Sequence, residues 1–292
     1  MPFTWTDGIC IVPALLLFTI FVIYPTVSSV YYAMTDWNGI NADIHFNGLT
    51  NFQRLLTDRD VWNGLKVTVV FAIAVMILQN TLALVLALAL NSFRDVKGFG
   101  SVRVFLLIPN LISGLAVGYI WSYMYNPMDG TVNSVLSAVG LSGFTRDWLG
   151  DGNLALGSII FTSIWQSVGF AMIIFFAGLQ TVPQELYEAA DMDGAGSWQR
   201  FRRITFPLIA PAFTVNVVLT LIGSLKVFDI IFTMTKGGPG TATESILVHV
   251  YTQAFVDNNF GYAGAISLVS SIFIFLLSII ALQFLRRREV TY

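Results

Sequence analysis

Six stretches of this chain are apolar for long enough to bridge a lipid bilayer, and that property governs what else the chain can fold into. They run over residues 9–30, 65–90, 104–125, 154–180, 207–228 and 262–285, and crossing the hydrocarbon core takes about 20 predominantly apolar residues. The expected fold is all-α and integral to a membrane, with six transmembrane helices. Charged residues make up 11% of the sequence, against roughly 25% in an average soluble domain. At a mean hydropathy of +0.73 the apolar surface exceeds what a soluble core absorbs, so lipid is part of the solvent. The first stretch has no basic leading segment and no small-residue cleavage site after it, which marks a retained span rather than a secretory signal.

The same composition excludes several classes. A net charge of −2 without an arginine-rich run or basic face gives no footprint for nucleic acid. Cys10 is the single cysteine, and His45 and His249 are the only histidines, so neither a disulfide framework nor a metal centre is available. No Gly-x-x-x-x-Gly-Lys-Ser/Thr phosphate loop occurs, so the chain is not itself an ATPase of that type and no bound cofactor is expected. The spans hold no central carboxylate, which leaves the proton or sodium relay of a secondary transporter without a residue. Lys226 and Asp229, three apart near the end of the fifth span, either pair along one helix or snorkel to the interface.

Orientation follows from Lys and Arg. One set of connections holds Arg94, Lys97, Arg103, Arg200, Arg202, Arg203 and the tail Arg286, Arg287 and Arg288; the opposite set holds Arg54, Arg59, Arg146 and Lys236. The first set lies in much shorter loops and belongs in the cytoplasm, which puts both termini there. Among the exterior connections, Asn126-Pro127-Met128-Asp129-Gly130 and Lys236-Gly237-Gly238-Pro239-Gly240 read as turns. Residues 131–139 suit a short surface helix. Residues 243–256 suit an amphipathic one, with Ile246, Val250, Tyr251 and Phe255 toward the membrane surface. With no repeat or long linker, the chain divides into a first span and exterior loop (1–64), a five-helix core (65–285) and a short tail (286–292).

Between the fourth and fifth spans the sequence turns polar: EAADMDGAGSWQRFRRITFP, residues 188–207. Thr181 and Gln184 have capping-box spacing, Pro183 fits a first turn, and a short helix over 182–192 would end at Gly194, where glycine permits a left-handed turn. Ser197 then caps a second short helix to Ile204. Small alanines and flanking charges suit a helix seated in a partner's groove; the plainer reading is an interfacial anchor. The spacing Glu188-Ala189-Ala190, Gly194, Ile204, Phe206, Pro207 resembles the "EAA" loop of membrane subunits of binding-protein-dependent ABC importers, with Phe206 where Leu is usual. That resemblance implies a loop over 181–206 that couples to a separate ATPase chain through Glu188, Ala189, Ala190, Asp193, Gly194 and Arg200. ATP and magnesium would be used by that partner.

Further landmarks, Tyr125-Asn126-Pro127, Phe228-Asp229, Gly237-Gly238-Pro239 with Thr243-Glu244, and Gln253-Ala254-Phe255, resemble the maltose-type sugar permeases within that family. The likeness implies a second, non-identical permease, two ATP-binding subunits, an extracytoplasmic sugar-binding protein and alternating access in a bacterial or archaeal cytoplasmic membrane. Independently, Ser163, Gln166, Ser167 and Phe170 fall on one helical face of the fourth span, and Thr220 and Ser224 flank Gly223 in the fifth. Hydroxyls, an amide and an aromatic ring suit a neutral polyhydroxylated ligand, or else serve as helix-to-helix contacts. The resemblance places sugar-contacting residues at these positions; Asn110 and Ser113 are weaker candidates for the same cavity. The expected function is a permease subunit importing a di- or oligosaccharide. The rivals are a permease for glycerol phosphates, amino acids or another small solute, which for an anion wants cavity cations, and a membrane enzyme, which wants clustered His, Asp or Glu.

Overall fold

Lipid offers a backbone amide no partner, so a chain this apolar satisfies its peptide groups within helices. In the computed structural model, which describes residues 5–93 and 99–287, the one β element among those residues is an isolated bridge between Thr35 and Phe46. In chain order the helices are α1 (Trp5–Phe18), α2 (Tyr24–Tyr32), α3 (Thr50–Thr57), α4 (Arg59–Ser92), α5 (Phe99–Leu107), α6 (Gly114–Met124), α7 (Thr131–Ala138), α8 (Ala155–Gln180), α9 (Gln184–Met192), α10 (Ser197–Arg200), α11 (Phe206–Leu208), α12 (Ala210–Leu225), α13 (Asp229–Met234), α14 (Ile246–Tyr251) and α15 (Phe260–Arg286). A π turn over Thr19–Ile23 joins α1 to α2, so that Ile11–Tyr32 forms one span.

All six apolar stretches are helical, and among the described residues four of them are unbroken helices long and apolar enough to cross a membrane: Ile11–Tyr32, α4, α8 and α15. The other two are bent pairs. Gly100–Leu111 meets Gly114–Met124 at 95°, and Ser197–Leu208 meets Ala210–Leu225 at 69°. Proline is the cause in both, because it cannot donate to the preceding turn and its ring clashes there. Pro109 sits in the 3-10 turn Ile108–Leu111, after which Ile112 is extended and Ser113 caps α6 by accepting from the Ala116 N–H at 3.3 Å. Pro207 and Pro211 stand in the first turns of α11 and α12. The fifth span also ends early. Helix α12 stops at Leu225 with Lys226 as its cap and α13 restarts at Asp229, so Lys226 and Asp229 flank a break instead of sharing a helix. Arg94, Lys97 and Arg288 lie outside the described residues.

The chain forms two compact units. In the first, residues 1–62 and 249–273, the Ile11–Tyr32 span buries none of its apolar window. Below it Trp37 stacks on Tyr32 at 4.4 Å and meets Phe260 at 5.4 Å. Asn51 donates to the Ala33 and Thr35 carbonyls at 2.9 and 2.8 Å. The Tyr262 hydroxyl donates to Asp58 at 2.6 Å, and the Arg54 guanidinium lies 3.9 Å above the Tyr262 ring. Burial pushes the Asp58 carboxyl up, but the Tyr262 hydroxyl and the Asp60 and Val61 amides outweigh it, and the group sits below the ordinary carboxylate value.

The second unit, residues 63–248 and 274–292, holds a core of Phe71, Val75, Val117, Trp121, Ile159, Met172, Phe175 and Ile231. Without a hydrophobic drive between helices in lipid, close approach depends on small residues. A Cβ on Gly169 would stand 1.9 Å from the Leu106 carbonyl oxygen, and one on Gly118 would stand 1.7 Å from the Thr233 hydroxyl. Glycine at these two points lets α5 and α13 seat against α8 and α6. Ile246, expected toward the membrane surface, is instead buried at 2% exposure, its N–H donating to the Thr68 hydroxyl at 2.9 Å. Phe255 does stay exposed.

Candidate functional site: a polar cavity and the segment after α8

Helix α8 carries the residues singled out in the fourth span, and the fold gives them two separate surroundings. Ser163, Ser167 and Phe170 line a cavity of about 230 Å³ together with Thr220, Gly223 and Ser224 of α12. The two faces expected from spacing thus meet each other. Gln166 is not among the lining residues. Its amide donates to the Ile112 carbonyl at 2.9 Å, the group that the break after Pro109 leaves without a helical partner. Asn110 sits half-buried in the 3-10 turn at that break and does not line the cavity. Ser113 serves as the α6 cap.

Two cavity residues escaped the sequence reading. Gln79 of α4, 5% exposed, accepts from the Ser167 hydroxyl at 2.9 Å; that hydroxyl also lies 2.6 Å from the Ser163 carbonyl. Asn216 of α12, 2% exposed, donates to the Ala171 carbonyl at 2.9 Å. Buried amides are tolerated when they are bonded, and both are held by a protein partner at one end while lining the cavity. The signal for Asn216 was present, since 216, 220 and 224 repeat at helical spacing. For Gln79 it was the Gln79-Asn80 pair inside an otherwise apolar helix. Among the described residues lining this cavity there is no Lys, Arg, Asp, Glu or His. The surface offers hydroxyls, amides and the Phe170 ring, groups suited to hydrogen bonds with, and packing against, an uncharged hydroxylated molecule.

After α8 the chain folds back. Thr181 is the C-cap of α8, its hydroxyl donating to the Gly178 carbonyl at 2.8 Å, and does not hold the N-cap position of the next helix that the capping-box spacing predicted. Pro183 stands at the N-cap of α9 instead, and the helix begins at Gln184. Its end follows the expectation: Gly194 has φ +71°, and the Ala195 N–H closes on the Ala190 carbonyl at 2.9 Å. This six-to-one bond is the Schellman ending that glycine favours. Gly196, not Ser197, caps α10, with its N–H donating to Gln199 at 3.1 Å.

The two limbs are tied across the turn. Arg200 pairs with Asp191, and the Tyr187 hydroxyl meets the Thr205 hydroxyl at 2.9 Å. Glu188, Ala189, Asp193 and Gly194 are exposed, while Ala190 is buried. Beside them Met192 is 89% and Trp198 70% exposed. Neither side chain stands out in the sequence, where charges and small residues are the visible signal of this segment.

Comparison with known proteins adds to this geometry. Residues 79–290 match the family model described as "Binding-protein-dependent transport system inner membrane component". The probable starch degradation products transport system permease protein AmyD of Thermoanaerobacterium thermosulfurigenes is 36% identical over 280 residues, 96% of this chain and 94% of the relative. The sn-glycerol-3-phosphate transport system permease protein UgpA of Agrobacterium fabrum is 34% identical over 279 residues, 95% and 94% of the two chains. A chain in the crystal structure of a bacterial alginate ABC transporter, in complex with a periplasmic protein bound to alginate pentasaccharide, superposes with a TM-score of 0.85. It is 24% identical and covers 98% of this chain and 96% of that one.

Proposed function

The chain belongs to the family of binding-protein-dependent transport system inner membrane components, and on that premise we propose that it forms one half of the translocation path of an ATP-driven sugar importer. The substrate is a neutral di- or oligosaccharide. The observation that carries the choice of substrate is the cavity between α8 and α12, lined by Ser163, Ser167, Phe170, Asn216, Thr220 and Ser224 without a charged group among its described lining residues. A phosphate-bearing substrate, as in the name of the glycerol-phosphate relative, would be held by Arg or Lys there. The starch-product name of the Thermoanaerobacterium relative agrees with a neutral carbohydrate.

In the cycle we infer, an extracytoplasmic binding protein delivers sugar to the exterior loops. A second, non-identical permease completes the cavity. Two separate ATPase chains close on ATP and magnesium and move the segment 181–206. Glu188, Ala189, Ala190, Asp193, Gly194 and Arg200, with Met192 and Trp198 beside them, form the docking surface. Both termini and the tail 286–292 face the cytoplasm, residues 1–64 add an N-terminal span and exterior loop, and 65–285 make the conducting core.

Uptake by the assembled complex tests the substrate class. Labelled neutral oligosaccharides are expected to accumulate with ATP and binding protein present, and Phe170→Ala to lower uptake per complex. Competition by glycerol 3-phosphate and not by any neutral sugar would refute the reading.

A further inference from the structure

Between α6 and α8 the chain runs along a membrane boundary: it leaves one bilayer helix at Tyr125 and enters the next at Ala155. One buried amide organises this segment. Asn133 of α7, 8% exposed, donates to the Arg146 carbonyl at 2.9 Å and to the Pro127 carbonyl at 3.4 Å. Its oxygen accepts from the Trp148 indole N–H at 2.8 Å and from the Arg146 N–H at 3.3 Å. Both ends of the amide are fully used, and Arg146 and Trp148 are fixed by the same hub. The Trp148 carbonyl also accepts from the Ser158 hydroxyl of α8 at 3.0 Å, which fastens the segment to the span below it.

This frame supports a groove of about 570 Å³, lined by Leu136, Leu141, Phe144, Arg146, Trp148 and Leu154. The lining is apolar except for Arg146, and its walls are open, with Leu141 46% and Phe144 64% exposed. Leu154 is the N-cap residue of α8, so the groove sits where a span leaves the hydrocarbon. Trp148 is the residue type that collects at that level, with an apolar ring and a polar N–H.

Arg146 is exposed and its guanidinium is held in place, Nη1 donating to the Gly143 and Thr145 carbonyls at 3.0 and 2.8 Å. That occupies the two N–H groups of Nη1 and leaves those of Nη2 and Nε to face outward. No carboxylate pairs with Arg146 among the described residues, and its neighbour Asp147 turns instead to the Gly150 N–H at 2.8 Å. An exposed apolar patch of this kind marks a binding surface. A fixed cation on its rim, without an acid of its own, complements a phosphate.

We propose that the groove is a phospholipid site: one acyl chain lies along Leu136, Leu141, Phe144 and Leu154, and an anionic headgroup meets Arg146. The inference needs the chain to sit in a membrane and is independent of which solute it carries.

The test uses the assembled transporter, purified in detergent and stripped of lipid, with phosphatidylglycerol carrying a fluorophore on one acyl chain as the probe. Unlabelled phosphatidylglycerol is expected to displace the probe at several-fold lower concentration than phosphatidylcholine, and inorganic phosphate is expected not to displace it. Arg146→Gln should erase the difference between the two lipids and Arg146→Lys should keep most of it. Leu141→Gln, which leaves the cation untouched, should weaken both lipids several-fold and decides the case if Arg146→Gln fails to assemble. Equal displacement by the two lipids in the unaltered complex overturns the proposal, as does a preference that survives both Arg146→Gln and Leu141→Gln. Displacement by inorganic phosphate alone would make this a free-anion site, and displacement by the sugar-binding protein would make it a protein docking surface; either result also overturns it.

Discussion

Gln166→Leu separates a residue that binds sugar from one that holds the protein together. The replacement keeps the side chain's bulk and removes the donor that meets the Ile112 carbonyl at 2.9 Å. That carbonyl follows the Pro109 turn, where the chain bends by 95° and no intrahelical donor reaches it. A half-buried acceptor left unpaired costs about 1–3 kcal/mol, which shifts an equilibrium by roughly 5- to 150-fold. The expected outcome is a lower yield of assembled complex on size exclusion and a lower midpoint of thermal unfolding, with normal uptake per surviving complex. Phe170→Ala should show the reverse, because Phe170 is 45% exposed and lines the cavity without bonding across helices. Normal assembly and stability for Gln166→Leu with impaired uptake per complex would refute the argument and return Gln166 to the sugar path.

Other outcomes follow from the same geometry. Gly194→Val places a branched residue at φ +71° with open space around its Cβ, so the penalty is backbone strain of about 1–3 kcal/mol; co-purification of the ATPase and uptake should fall while membrane insertion holds, and Gly194→Asn should be milder. Gly169→Val drives a side chain into the Leu106 carbonyl and should abolish assembly, read as loss of the complex from detergent extracts. In a Cys10→Ser background, Met128→Cys, 87% exposed, should label from outside and Ser197→Cys only from inside; exterior labelling of Ser197→Cys in intact cells overturns the orientation. Asn133 is a poor reporter, since it is buried and donates to the Arg146 carbonyl at 2.9 Å. Asp58 sits below its ordinary value, so its contribution is complete above that value and disappears as pH falls through the lower, folded one; Asp58→Asn should remove this acid-side loss from unfolding curves.

Apolar length and the punctuation of proline and glycine made the helices and the Gly194 turn legible from sequence. The same signals did not separate a crossing helix from a bent pair. Pro109 was visible, yet a break in lipid stands only if some other helix supplies a donor, and Gln166 lies 54 residues away from the carbonyl it serves. Periodicity put Gln166 on the correct face and could not say that this face has two neighbours, the break and the cavity. Thr181 failed as a cap for a related reason. Helix α8 runs on through Gln180 and takes Thr181 as its own C-cap, so α9 starts only after Pro183, and local spacing cannot say to which of two helices a residue between them belongs. Gln79 and Asn216 needed the packing of α4 and α12 against α8 before their amides had a purpose.

The turned segment after α8 is fastened at several heights: Ala195 to Ala190 at its tip, Arg200 to Asp191 midway, and Thr205 to Tyr187 at its root. A hairpin of helices cinched in this way has little compliance. On the proposed coupling role, a load applied at the tip would not be dissipated by the two limbs sliding past each other; it would reach Pro207 and the base of α12 as torque. The lever arm is then set by covalent length, and a lengthened or loosened tip would introduce slack before any fold was lost.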